Sequence, residues 1–597
     1  MTGIDYAIVG AFLLVMALAG LTISKLIKDS DDIFVAGRQL TPFIMAATIT
    51  ATNLSMYHFI SIGGIAYQKG VSIIWTNWTG NMALVFSGIF VIPLMRRLRV
   101  RSIPEFLEMR YSRGLRVLIG AFWGLRLCIF LGIFLYIATT TAIVITGWDC
   151  YFGWMLIFSV IAIMYSAIGG AWAVAIMDSV QFAFIIAGAL ITFPIAIHLA
   201  GGMPNLVHWL HASGKAVHTQ IVPSGMGEFN WLYVLAMMLI STKWATVDQA
   251  ILQRAFGAKN PRMGAQGMVL SGLITTPLAF LWVLPGLAVA KIAATQPHVV
   301  TFANPDHAIP WLLSSQLPQI ARGLLGFALF GLVAAQISTI TADINSVATL
   351  FTSDVYRKLK KREPTQDQLL KVVRISSILC GALMLAVAYA MKFTGAGAVR
   401  ANLTVVGIVD LPLFVITIIF GLFWKRTTWQ GALAGFFGGG AMGILAYMLI
   451  VPDNFNGTLY PFLNMISRSL AVYASGWHSV LKAYAPSMMS IAPFVSTGTA
   501  LLVTPIVSLL TKQSSSSETK GIWKSFHADS AEGNDDTFHL VPKSLPGKLG
   551  VALLVIGFLG FLFGVISASR AFPMATSLAI GGMITVFVGG VLRVYTE

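Results

Sequence analysis

A chain of 597 residues that is 57% hydrophobic and 10% charged, with a mean hydropathy of +0.80, carries too little charge to cover soluble domains or to remain disordered. Three cysteines (Cys128, Cys150 and Cys380) build no disulfide scaffold, and the net charge of +16 sits in short connections between apolar runs, which points to membrane topology rather than to nucleic acid. Apolar runs of roughly twenty residues, in place of short alternating strands, exclude a transmembrane β-barrel and predict an all-α polytopic protein in a lipid bilayer.

The first run, Asp5 to Lys25, has neither a basic leader nor a small-residue cleavage site, so the segment 1–30 is read as an extra, retained N-terminal helix. Spans are then predicted at 41–69, 71–95, 113–147, 151–172, 173–200, 228–256, 264–295, 311–355, 369–392, 400–424, 429–451, 485–512, 547–569 and 573–594. That makes about fifteen transmembrane helices. They group into a block 41–200, a connecting loop 201–227, a block 228–426, additional helices over 427–512, a polar linker 513–546 expected to be flexible, and C-terminal helices over 547–597.

The basic clusters Arg96 to Arg101, Arg254 to Arg262, Arg357 to Arg362 and Lys425-Arg426 are separated by even numbers of crossings and so share one side, which the positive-inside rule makes cytoplasmic. The N-terminus and the loop 201–227 then lie outside, and the linker and C-terminus inside. The blocks 41–200 and 228–426 each hold five crossings of opposite sense, the arrangement expected of a transporter with inverted repeats.

In such transporters the first helix of each block is often broken at mid-membrane, freeing carbonyls for a cation and amides for a solute. The first block is polar at that place, from Thr48 through Asn53, Ser55, Tyr57 and His58 to Ser61 and Gly63-Gly64. The matching stretch, Ile240 to Gln249, is equally polar, but no Gly or Pro marks a break there. Within 311–355, Ser338, Thr341 and Ala342 share one face with Thr339 beside them. Hydroxyls next to freed carbonyls make a hard-oxygen cage of low charge that suits sodium, although such hydroxyls also bond to their own helix. Asp178, Asp343 and Asp410 lie within spans and need a partner, water or an ion. Asp178, about two turns beyond Gly169-Gly170, is placed to approach the helix bearing Ser338. His58 suits proton relay or hydrogen bonding to a hydroxylated solute. Trp244, Tyr57 and Trp78 could stack on a sugar or simply fill the bundle. No phosphate loop, metal-ligand spacing or nucleophile elbow occurs, so the chain is not read as an enzyme.

Several stretches together resemble the sodium/solute symporter family, which includes sodium-coupled sugar, proline and sialic acid transporters. They are Phe34 to Leu40, Pro104 to Tyr111, Gly169-Gly170 leading to Asp178, Gln253-Arg254, and Asn345 through Tyr356. The resemblance implies a leucine-transporter-type five-plus-five inverted repeat with one N-terminal and several C-terminal extra helices, in a bacterial inner membrane. It implies sodium as the coupling ion and no other cofactor. Its sodium site falls on the carbonyls of Ala51, Leu54 and Ala335 and the hydroxyls of Ser338 and Thr339; a second sodium or ion-exit site falls on Asp178 and Thr341, with Ala342 lacking the hydroxyl. For the solute, Asn53 and His58 match sugar-transporter positions. Asn77 stands where those have an acidic residue, Ile274 or Thr275 where they have lysine, and Thr404 where they have glutamine. Asn53, Tyr57, His58, Asn77, Trp78, Trp244 and Thr404 are therefore the expected solute contacts. The function expected is sodium-coupled import of a small polar solute, a sugar or polyol before an amino acid or carboxylate. The rival of another class is a channel or sensor on the same fold.

Overall fold

A computed structural model describes residues 1–23, 36–224, 227–296, 298, 300–360, 362–393, 398–512, 538–539 and 541–596. Among these the regular structure is helical, and eleven helices are long and apolar enough to cross a membrane. Shorter apolar helices occur at Gly3–Val15, Tyr151–Ile163 and Trp231–Val247.

The first break is sharp. Helix Pro42–Asn53 starts with proline at its first position and stops at Leu54, whose backbone is extended (φ −79°, ψ 109°). The chain resumes through a wide π turn, Tyr57–Ile62, into Gly63–Lys69. Gly64 lies where any Cβ would collide with the Pro305 carbonyl, so the second half of the broken helix fits only with glycine there.

The second member is broken too. Helix Trp231–Val247 ends at Asp248, which is extended (φ −73°, ψ 123°) and opens Gln249–Phe256 by accepting a bond from the Ala250 amide on Oδ1 at 3.2 Å. A carboxylate N-cap thus does what glycine or proline would do elsewhere. The sequence carries no glycine or proline at this point, which is why the break was not evident from it.

Helical structure covers Tyr151–Leu199, and its two end portions run in opposite senses. Tyr151 donates to the Ala388 carbonyl at 2.7 Å and Ile163 packs where Gly381 has no side chain, so this limb descends along Gln366–Met391. Beyond it, Asp178 meets Ser338 and Gly188 meets Gly331, which is travel in the opposite sense along Leu324–Thr349. Of the two spans expected here, Val174–Leu199 is long and apolar enough to cross a membrane, and Tyr151–Ile163 is a shorter apolar helix.

The span expected over 311–355 is corrected. Ala308–Ile320 is a separate short helix, and Gly323, in the left-handed region at φ 85°, turns the chain into Leu324–Thr349. The loop expected over 201–227 holds a helix of its own, Met203–Ala212. Arg96 donates to the Lys259 carbonyl, Arg113 to the Lys358 carbonyl, and Arg97 to the Phe538 carbonyl, which gathers the basic clusters and the end of the linker at one end of the bundle. Most of the linker lies outside the described residues, but Phe538 is buried beneath the Arg593 guanidinium, so this part is anchored rather than flexible. The last two helices, Leu545–Ala568 and Ala575–Tyr595, pack through glycines: a Cβ on Gly557 would stand 2.7 Å from the Gly582 carbonyl oxygen, and one on Gly589 would stand 2.8 Å from the Leu554 amide nitrogen.

Candidate functional site

Both breaks open onto the same interior. Where helix Pro42–Asn53 stops, the Ser55 amide, which an unbroken helix would give to the Ala51 carbonyl, turns to His58 Nδ1 at 3.4 Å. This bond assigns the imidazole proton to Nε2. Thr339 crosses the gap: its hydroxyl donates to the Thr52 carbonyl at 2.9 Å and to the Ala335 carbonyl at 3.2 Å. Ser338, the preceding residue, donates to Asp178 Oδ1 at 2.7 Å. Ala51, Leu54 and Ala335 are fully buried beside them. The five residues expected to hold sodium are therefore distributed across the broken helix and the helix that it faces.

Asp178 is a hub. Fully buried, it also accepts from Thr48 at 2.7 Å and Thr52 at 3.3 Å, and Arg254 Nη2 stands 3.5 Å away while its Nε donates to Thr48 at 3.2 Å. Thr341 follows Ser338 by about one turn. Its hydroxyl donates to the Ile337 and Ser338 carbonyls at 2.8 and 3.0 Å, the helix-local bonding that competes with ligation.

Above this group lies a cavity of 140 Å³, small beside a typical ligand pocket of ~300–1,000 Å³. Asn53, Tyr57 and His58 line it from the first broken helix, Asn77 from Trp75–Phe86, and Trp244 from Trp231–Val247. Asn77 Oδ1 accepts from the Trp282 indole at 3.1 Å. The Trp244 ring covers Gly80, where a Cβ would lie 3.7 Å from it.

Two expected contacts are corrected. Trp78 points away from the cavity, giving its indole proton to the Thr276 carbonyl at 3.0 Å and packing edge-on against Trp75 and Phe280. Thr404 is also off the wall; Asn402 and Leu403 take its place, because the helical register turns them about 200° and about 100° away from it.

Several cavity residues were not singled out from the sequence. Arg126 holds Asp410 through two bonds, Nη2 to Oδ2 at 2.6 Å and Nε to Oδ1 at 3.1 Å. Lys243 binds the same carboxylate at 2.8 Å and Asp248 at 3.4 Å, with its ammonium 4.3 Å from the Trp123 ring centre. One fully buried aspartate thereby ties together helix Arg113–Thr146, helix Trp231–Val247 and the turn Val406–Asp410. The available signal was a charged residue within each of two apolar spans.

The geometry is that of a small polar chamber beside an oxygen-rich cage, and similarity to known proteins agrees with it. A model of the "sodium:solute symporter family" matches residues 33–439. The chain is 27% identical over 468 residues to a sodium/glucose cotransporter of Vibrio parahaemolyticus, covering 72% of this chain and 83% of that one. It is 25% identical over 482 residues to the human sodium/myo-inositol cotransporter 2, covering 73% and 68%. Among solved structures, a sodium-coupled sialic acid symporter in a substrate-bound outward-open state superimposes with a TM-score of 0.68 at 19% identity, covering 86% of this chain and 100% of that chain, which is a likeness of fold.

Proposed function

The chain belongs to the sodium:solute symporter family, and on that premise we propose that it imports a sugar or polyol by alternating access, with sodium in the cage. Its fold is all-α and of the leucine-transporter type, its business is transport rather than enzymatic catalysis, and sodium is the coupling ion of its family. In our reading sodium sits among the carbonyls of Ala51, Leu54 and Ala335 and the hydroxyls of Ser338 and Thr339. The solute sits against Asn53, Tyr57, His58, Asn77 and Trp244. We further place the basic end of the bundle in the cytoplasm of a bacterial inner membrane, with the N-terminus outside.

The observation that carries this reading is the Thr339 bond to the Thr52 carbonyl at 2.9 Å. It joins the cage to the residue that precedes Asn53, on the same broken helix as the solute contacts. An ion that fixes the break therefore fixes the cavity wall, and each ligand tightens the other by the same factor. An inward sodium gradient then drives uptake. Arg126 and Lys243 would favour the second reading, an amino acid or carboxylate solute, but Asp410 occupies both. A thermal-shift screen of sugars, polyols, amino acids and carboxylates, each with and without sodium, tests the proposal. A hydroxylated neutral solute should stabilise the protein only when sodium is present. Stabilisation that ignores sodium, or sodium conduction without saturable solute uptake in proteoliposomes, would overturn it.

A further inference from the structure

The ionisable side chains around the cavity do not balance. Arg126 and Lys243 supply two positive charges, and Asp410 and Asp248 accept both of them at 2.6, 2.8 and 3.4 Å. Asp343 is left over. It lines the same cavity, is only 4% exposed, and among the described residues makes neither a hydrogen bond nor an ion pair. Arg254, the next cation within electrostatic reach, is committed to Asp178, Thr48 and the Ala250 carbonyl.

A carboxylate without a counter-charge inside a membrane bundle is costly, and it is relieved either by taking up a proton or by a counter-charge that arrives with an ion or a solute. Asp343 stands one turn beyond Thr339 on the same face of helix Leu324–Thr349, so it looks into the chamber while Ser338 turns to Asp178. Tyr57, Phe130, Phe134 and Trp244 also line the chamber, with the Arg126 guanidinium over the Phe130 ring. One carboxylate among aromatic walls suits a monovalent cationic centre; a divalent ion would require several more oxygens.

We propose that Asp343 binds a monovalent cationic centre inside the cavity, at a site separate from the Ser338–Thr339 cage. The centre is either an ammonium group carried by the solute or a second inorganic cation. The proposal deepens the transport reading and rests on it for the role of the cavity.

The test uses the full-length purified protein and two probes, sodium chloride alone, and glucosamine against glucose at fixed sodium and about pH 6.5, below the ordinary range of a free amine. If the solute brings the charge, glucosamine binds about tenfold or more tightly than glucose. If an inorganic cation brings it, sodium alone titrates in two steps, of which Ser338→Ala removes one. In either case Asp343→Asn abolishes that preference or that remaining step and leaves the Ser338-dependent response intact, while Asp343→Glu retains it. A single sodium step together with no preference for the amine in the unaltered protein overturns the proposal, whether or not Asp343→Asn folds. So does an Asp343→Asn protein that behaves like the parent. Absence of any Ser338-dependent sodium response would instead be a failure of the transport reading and is recognised separately.

Discussion

The Ser338 hydroxyl donates to Asp178 Oδ1 at 2.7 Å, between residues 160 positions apart in the chain. The same carboxylate takes the hydroxyls of Thr48 and Thr52 from the broken helix, so three segments meet on one buried group. An ion entering beside Ser338 would thus be felt directly by the helix that carries the proposed solute contacts.

Ser338→Ala should raise the sodium concentration for half-maximal uptake by about tenfold, equivalent to ~1.4 kcal/mol, with maximal uptake approached at high sodium. Folding should be unaffected, because Asp178 keeps Thr48, Thr52 and Arg254. Sodium titration of solute uptake in proteoliposomes measures the first, and thermal melting the second. An unchanged sodium dependence would remove Ser338 from the cage.

Asp410→Asn should destabilise the protein more than any other single change at the cavity wall. It leaves Arg126 and Lys243 buried without their shared anion, a loss of the order of 3–5 kcal/mol for a broken buried pair. Replacing Arg126 with Met should cost less, since Lys243 still neutralises the aspartate. The order of the two melting temperatures decides the matter; a reversal would mean that Asp410 is not the organising charge.

Asp248→Ala removes the cap that begins Gln249–Phe256 and invites the two halves of the second broken helix to fuse. A lost N-cap costs about 0.5–2 kcal/mol. Uptake should fall further than this stability loss explains, because Lys243 also loses a partner at the cavity. Asp248→Asn, which retains the cap oxygen, should restore stability more fully than uptake, as compared by melting and flux measurements on the two variants.

The contrast between the two breaks shows what sequence reading reaches. The polar run from Thr48 to Ser61, with Gly63-Gly64 following, points to the first break because Asn53 and His58 join small and hydroxylated residues that alone would serve helix packing. Asp248 gives no such signal, since one carboxylate says nothing of the backbone angles that it caps. That Asp178 approaches the helix bearing Ser338 is an expectation of the sequence, and the family resemblance puts the two residues in one site, whereas nothing in the sequence pairs Arg126 with Asp410. Trp78 and Thr404 failed for a different reason: each lies on a helix that reaches the cavity, but on the wrong face, and a shift of one or two residues moves a side chain by a third of a turn or more.

At the basic end, Glu108 bonds Arg116 at 2.6 Å and Lys358 at 2.8 Å. Burial alone would push its carboxyl up, but these two cations outweigh it and hold it below its ordinary 4.5. A depressed carboxylate contributes stability that is present above the ordinary value and is lost as pH falls through the lowered one. Thermal melting followed downward from neutral pH should therefore show an acid-side decline that is shallower in Glu108→Gln. Parallel curves for the two proteins would deny the ion pairs any part in stability.

The glycine-faced hairpin of the last two helices has a consequence for biogenesis. Its backbones meet through contacts between near neighbours in the chain, so this pair can associate as soon as both helices have entered the lipid, without waiting for the bundle to assemble. Only then need Phe561 come to rest against Trp75, their ring centres 5.4 Å apart. The hairpin can thus reach the rest of the bundle as a prefabricated piece that docks rather than threads.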